Sequence, residues 1–89
     1  PVLETATLLT QWAGLYENTP DHHPIIGPVP PLENVMLAAG FSGHGVMHAP
    51  ATGLLVAEMI LGRKATLDLG SLGLARFREG ALIHESHII

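Results

Sequence analysis

The stretch Asn34-Val-Met-Leu-Ala-Ala-Gly-Phe-Ser-Gly-His-Gly-Val-Met-His-Ala-Pro-Ala-Thr-Gly53 decides how this chain of 89 residues is read. It runs from a segment that is apolar on both sides, through a bend containing Gly40, Gly43 and Gly45, into a nearly all-apolar segment. The reading is buried strand, glycine loop, helix. Glycines let the main chain approach a flat or anionic ligand closely, and the first N–H groups of a helix lack intrahelical acceptors. Pro50 suits the first turn of a helix over residues 51–61, and no Ser, Thr, Asp or Asn stands just before it as a side-chain cap. The leading amides therefore need a partner from elsewhere, and a ligand is one candidate.

Outward from this stretch, residues 35–39 read as a parallel strand covered on both faces. Only Thr52 and Glu58 interrupt the apolar circumference of 51–61, so that helix is expected to be buried nearly all round. Gly62 suits its stop, and Arg63 and Lys64 complement its negative end. Toward the N-terminus, residues 2–11 fit a short helix and residues 12–19 a strand of aromatic and polar alternation. Pro20-Asp21 is a turn pair. Residues 24–29 are a short extended piece whose prolines deny it a central place in a sheet. Pro30-Pro31 is a connector, residues 72–77 a second short helix, and 81–89 an irregular or extended tail.

Composition narrows the function classes. Apolar residues make up 47% of the chain and charged residues 13%, with a mean hydropathy of +0.35. A chain this short buries only about 60–65% of its unfolded surface, so other protein is expected to cover much of its apolar surface. A start at Pro1 suggests a fragment or processed product. No apolar run reaches the ~18–20 residues of a membrane span and no signal peptide is visible, so the expected setting is cytoplasmic. With no cysteine, disulfides, thiolate metal sites, thiol nucleophiles and cysteinyl cofactor links are excluded. The net charge is −4 and residues 1–57 contain no Lys or Arg. That argues against nucleic acid as a partner and leaves an acidic substrate nothing basic to grip there.

His44 and His48 are four apart and His84 and His87 three apart, spacings that can pair imidazoles on a helix for zinc. Yet His44 lies in the loop, His-Glu-x-x-His is missing and no carboxylate falls at a matching step, so no metal site is expected. His22, His23, His84 and His87 read as solvated, while His44 reads as ligand-adjacent. Tyr16 is the substrate-side candidate, able to donate a hydrogen bond or act as acid or base, although packing is its commoner role. Asp21 reads as a turn-former. Ser42 has no His/Asp relay, and no residue is assigned as catalytic.

The segment Trp12-Ala-Gly-Leu-Tyr-Glu-Asn-Thr-Pro-Asp-His-His-Pro-Ile-Ile-Gly27, followed by Asn34-Val-Met-Leu-Ala-Ala-Gly-Phe-Ser-Gly-His-Gly45, resembles the C-terminal part of the D-amino-acid-oxidase-like flavoproteins. The branch of sarcosine oxidase, glycine oxidase, dimethylglycine dehydrogenase and dye-linked proline dehydrogenase fits best. The resemblance covers residues 12–64 and implies an α+β fragment. Its parts are the last strand and closing helix of a Rossmann-like FAD domain, plus a strand-rich piece of a substrate domain. Residues 1–33 would belong to the substrate domain, 34–64 to the FAD domain, and 65–89 to a C-terminal helix and tail.

The cofactor implied is FAD, held without a covalent bond and completed by residues outside this chain. Gly40, Phe41, Ser42, Gly43, His44, Gly45, Val46 and Met47 would line the flavin ring near its pyrimidine edge, where a helix start stabilises the charge that reduction brings. The reaction implied is oxidation of the C–N bond of an amine or amino acid, and the partners are that small substrate and the remainder of the enzyme. Two positions depart from the pattern. Gly14 stands where some relatives carry a flavin-linking cysteine, and Met47 where some carry a lysine for the substrate carboxylate. Without the phosphate-binding Gly-x-Gly-x-x-Gly, the chain alone is not expected to be active, and the isolated piece is expected to self-associate. Two other readings stay open: a non-catalytic interaction module or split-enzyme subunit, and a small metal-binding protein using His44 and His48.

Overall fold

The computed structural model describes residues 2–84; residues 85–89, and with them His87, lie outside the described residues. The order is a 3-10 turn at Val2–Thr5, strands β1 (Ile25–Val29) and β2 (Leu32–Ala39), helix α1 (Gly45–Ile60), a 3-10 turn at Gly70–Leu72 and helix α2 (Ala75–Glu79). The arrangement is α+β, as expected.

The strands form one antiparallel hairpin around Pro30-Pro31. Ile25 faces Ala39, Ile26 faces Ala38, Gly27 faces Leu37 and Pro28 faces Met36. The register then slips so that Val29 faces Leu32, leaving Glu33, Asn34 and Val35 without opposite partners. The expected parallel strand at 35–39 is therefore corrected: its partner is β1, antiparallel. Among the described residues no strand flanks its other edge, and Val35 and Ala38 are exposed. Among the described residues its apolar positions are only partly covered, Met36, Leu37 and Ala39 being half-buried.

Helix α1 begins at Gly45, six residues ahead of Ala51, so Pro50 sits inside it rather than at its first turn. Proline has no N–H to offer the Val46 carbonyl one turn back, so the helix forgoes that bond there. The end is as expected. Arg63 N–H donates to the Glu58 carbonyl at 2.8 Å and Gly62 N–H to Met59 at 3.1 Å, with Gly62 left-handed at φ 66°. This pair of bonds caps the last carbonyls. The Glu58 carboxylate then accepts from the Thr66 N–H at 2.8 Å and the Thr66 hydroxyl at 2.5 Å, fastening the chain that follows.

Two expectations near the N-terminus fail. The helix over 2–11 reduces to one 3-10 turn. Residues 12–19 form no strand, because among the described residues no neighbouring strand offers them a ladder; Trp12 is 87% exposed and Leu15 fully exposed. The second short helix is present, divided between the turn at Gly70–Leu72 and α2.

The described residues build only a small core. Among the described residues the buried apolar side chains are Ile26 and Leu55, and Leu55 is the single buried residue of α1, which corrects the expectation of a helix buried all round. A partly open cleft of about 260 Å³ remains between α1, β1 and residues 67–72, lined by Ile26, Phe41, Leu55, Leu69 and Leu72 among others. The radius of gyration is 17.2 Å, against about 12 Å for a compact chain of this length. The accessible surface is 7289 Å², against roughly 5,000 Å² for a compact monomer of this mass. That excess is larger than the ~800 Å² that each partner buries in a standard interface. These apolar faces fit a molecule in which further protein covers them.

Candidate functional site

At the end of β2 the chain turns through three left-handed residues in four: Gly40 at φ 71°, Ser42 at φ 52° and Gly43 at φ 88°. Glycine adopts this region freely, whereas a side chain costs about 1–2 kcal/mol there. Ser42 is held in place by three hydrogen bonds. Its N–H donates to the Glu17 carbonyl at 3.1 Å, its hydroxyl donates to the Gly40 carbonyl at 3.2 Å, and its Oγ accepts from the Thr19 N–H at 3.3 Å. The bend is thereby sewn onto residues 17–19.

Side-chain contacts tighten the same junction. The γ-methyl of Thr19 fills the space beside the Gly40 α-carbon. The Tyr16 ring lies over Gly43, close enough that a β-carbon there would come within 3.2 Å of Cε2 and Cζ. Tyr16, the substrate-side candidate, thus meets the glycine loop while staying more than half exposed.

His44 occupies the cap position of α1 and no side chain caps the helix. Its Nδ1 lies 3.1 Å from the Ser42 carbonyl oxygen. Its own carbonyl accepts the first helical bond, from His48 N–H at 3.2 Å. The amides of Gly45, Val46 and Met47 stand ahead of any intrahelical acceptor. An uncapped helix start therefore exists, but it lies inside the glycine run itself. Val46 and Met47 are exposed, Phe41 is half-buried, and Gly40 and Ser42 are buried. The His44 and His48 rings stack with centroids 5.9 Å apart. Among the described residues no group of three or more His, Asp or Glu side chains is placed to hold a metal.

A second polar centre adjoins the first, and its charged partner was not legible in the sequence. The Asp21 carboxylate accepts from Arg76 Nε at 2.7 Å and Nη2 at 3.0 Å, with both side chains almost wholly buried. It also accepts from the Ile83 N–H at 3.2 Å, the His23 N–H at 3.2 Å and the Thr19 hydroxyl at 3.1 Å. Arg76 donates further to the carbonyls of His23, Leu72 and Gly73. The hydrogen bonds from Arg76 dominate the opposing cost of burial, and those from Ile83 and His23 add to them, so the Asp21 carboxyl is held well below the usual carboxylate range. Asp21 does make the expected turn, since its bond to the His23 N–H closes an Asx turn, but it is also the anchor of this network. His23 is corrected from solvated to half-buried and bonded. The one sequence signal was the Thr-Pro-Asp turn; nothing local ties Asp21 to an arginine 55 residues later.

Comparison with known proteins follows the same lines. The profile of the family described as FAD dependent oxidoreductase matches residues 1–59. The chain belongs to this family. It is 41% identical, over all of its length and 18% of the relative's, to FAD-dependent oxidoreductase domain-containing protein 1 of Xenopus laevis. It is 39% identical to N-methyl-L-tryptophan oxidase of Salmonella enteritidis over 72% of this chain and 17% of that one. It is 38% identical to peroxisomal sarcosine oxidase of Mus musculus over 71% and 16%. The crystal structure of L-proline dehydrogenase from P. horikoshii superposes with a TM-score of 0.82 and 44% identity, covering 93% of this chain and 22% of that chain. The chain spans about a fifth of the length of these relatives. The family is FAD-dependent by its description. Among the described residues no helix is long and apolar enough to cross a membrane.

Proposed function

We propose that this chain is one segment of an FAD-dependent enzyme that oxidises the C–N bond of an amine or amino acid, and that Gly40, Phe41, Ser42, Gly43, His44, Gly45, Val46 and Met47 face the flavin edge. The observation that carries the reading is the uncapped start of α1 at Gly45, reached through the left-handed bend at Gly40, Ser42 and Gly43. The names of the similar proteins support the substrate class, since N-methyl-L-tryptophan, sarcosine and L-proline are all amino acids or their N-methyl derivatives.

The donor set suits the cofactor. The amides of Gly45, Val46 and Met47 lie where an aligned helix carries roughly half a positive charge, and no protein side chain occupies them as a cap. When bound, the flavin supplies a two-electron acceptor for the C–N bond. The residues of this chain then have two tasks. The helix start stabilises negative charge at the edge it faces, and the Tyr16 ring packs against the loop at Gly43. Residues 1–57 hold no Lys or Arg, and Met47 stands where some relatives carry a carboxylate-gripping lysine, so either residues outside this chain hold the substrate carboxylate or the substrate differs. This segment contains no cysteine, so it offers no cysteinyl link to FAD.

The exposed apolar residues outside the loop, among them Trp12, Leu15, Leu54 and Ile60, face the remainder of the same enzyme in this reading. Flavin absorbance of the complete, purified polypeptide tests it. A yellow protein whose visible band survives dialysis and is lost on denaturation is the expected result. A colourless full-length protein that FAD fails to reconstitute would overturn it.

A further inference from the structure

The buried polar and charged residues of the described chain are four: Thr19, Asp21, Ser42 and Arg76. They form one continuous hydrogen-bonded path. Arg76 binds Asp21 through two nitrogens, Asp21 accepts from the Thr19 hydroxyl, and the Thr19 N–H donates to Ser42 Oγ. Ser42 is the left-handed residue between the two left-handed glycines of the bend. Scattered buried polar groups would each need a separate structural excuse, whereas a connected path gives all four one role. With so few buried apolar side chains available to fix backbone positions, the path adds a constraint on the bend beside the Ser42 bonds to Glu17 and Gly40.

We propose that Arg76, acting through Asp21 and Thr19, is a positioning residue for the candidate cofactor loop, latching residues 40–44 in the shape that presents the α1 amides. The inference rests on the flavin-edge reading above. Arg76 lies too deep in its own network to touch a ligand: its guanidinium is spent on Asp21, on the carbonyls of His23, Leu72 and Gly73, and on the face of Phe77, 4.2 Å from its ring centre. Its effect on the loop must pass through Asp21 and Thr19. Loss of Arg76 leaves a buried carboxylate uncompensated, which draws in water or protons and releases Thr19 from its fixed position. Ser42 then loses one of the three bonds that offset its backbone strain.

The test uses the complete enzyme with Arg76→Ala, Arg76→Lys and Asp21→Asn, and Gly43→Val as a loop control. Three readouts are FAD dissociation constant, flavin visible spectrum and hydrogen exchange at the Ser42 amide. Arg76→Ala is expected to weaken FAD binding by about tenfold or more and to speed exchange at Ser42 in a protein of unchanged far-ultraviolet circular dichroism. Millimolar guanidinium chloride, but not sodium chloride, restores both by refilling the vacated site. If Arg76→Ala fails to fold, Arg76→Lys carries the same readouts, because one ammonium cannot serve the carboxylate and three carbonyls together. Should the folded Arg76 and Asp21 variants lose only thermal stability while Gly43→Val disturbs the flavin, the latch is overturned and the flavin-edge reading survives. Should Gly43→Val also leave the flavin untouched, the flavin-edge reading falls and the latch with it.

Discussion

The γ-methyl of Thr19 occupies the space that any side chain at Gly40 would need. Two separate demands therefore fall on position 40: a left-handed backbone at φ 71° and an empty β-position. Gly40→Ala meets neither. It is expected to destabilise the complete enzyme by about 2–4 kcal/mol, from the left-handed penalty and overpacking together. Adding Thr19→Ser removes the methyl but keeps the hydroxyl, so the double variant is expected to recover part of the loss. Urea unfolding of the two single variants and the double variant measures this coupling; strict additivity would show that the collision is not what limits position 40.

Gly43 and Gly45 differ although both belong to the glycine run. A β-carbon at Gly43 meets the Tyr16 ring and the backbone is left-handed, whereas one at Gly45 makes ordinary contact with Phe41 at 3.6 Å. Gly43→Val is expected to cut FAD content sharply. Gly45→Val is expected to cut it less, by crowding the helix start, and His22→Ala to leave it unchanged. Flavin-to-protein ratios after parallel purification give the ranking, and equal ratios in all three count against the loop assignment.

Tyr16 separates its ring from its hydroxyl in the same way. The atoms nearest a β-carbon at Gly43 are ring carbons. Tyr16→Phe is expected to retain FAD and to show any change in kcat/KM alone, while Tyr16→Ala uncovers the bend and lowers FAD affinity. Flavin fluorescence titration beside steady-state kinetics distinguishes the two, and loss of FAD in Tyr16→Phe would assign the binding role to the hydroxyl.

Asp21 carries a pH signature. Its carboxyl titrates below the usual range when folded, chiefly through Arg76, and near pH 3.9 when unfolded. The folded form therefore binds fewer protons, so its contribution is fully present above about pH 4 and is lost as pH falls from there through the folded value. Wild type is expected to lose stability steeply between about pH 4 and pH 2, and Asp21→Asn to start lower and fall less over that range. At neutral pH the same variant is expected to cost about 3–5 kcal/mol, as a buried pair broken on one side does. Denaturant midpoints across the acid range supply the comparison; parallel slopes for the two proteins would sink the assignment.

Much of the architecture was legible because it is local. The glycine spacing around Ser42, the stop at Gly62 and the apolar run of α1 each carry their own chemistry. The start of α1 was misplaced because Pro50 points to a first turn, whereas it stands at the sixth helical residue, where proline is disfavoured. The apolar composition of 35–39 signalled a strand, but it could not name the neighbour, and β1 runs antiparallel to it. Residues 12–19 have strand-like alternation without a sheet to join. The link from Asp21 to Arg76 left no trace, since pairing across 55 residues depends on tertiary placement and has no period to detect.

That link also sets limits on how this segment can be exchanged between relatives. In a chimera whose junction falls anywhere between Asp21 and Arg76, the acid comes from one parent and the base from the other, together with the different carbonyls each has to satisfy. Junctions placed before Tyr16 and after Ile83 move the whole polar path as one inherited unit.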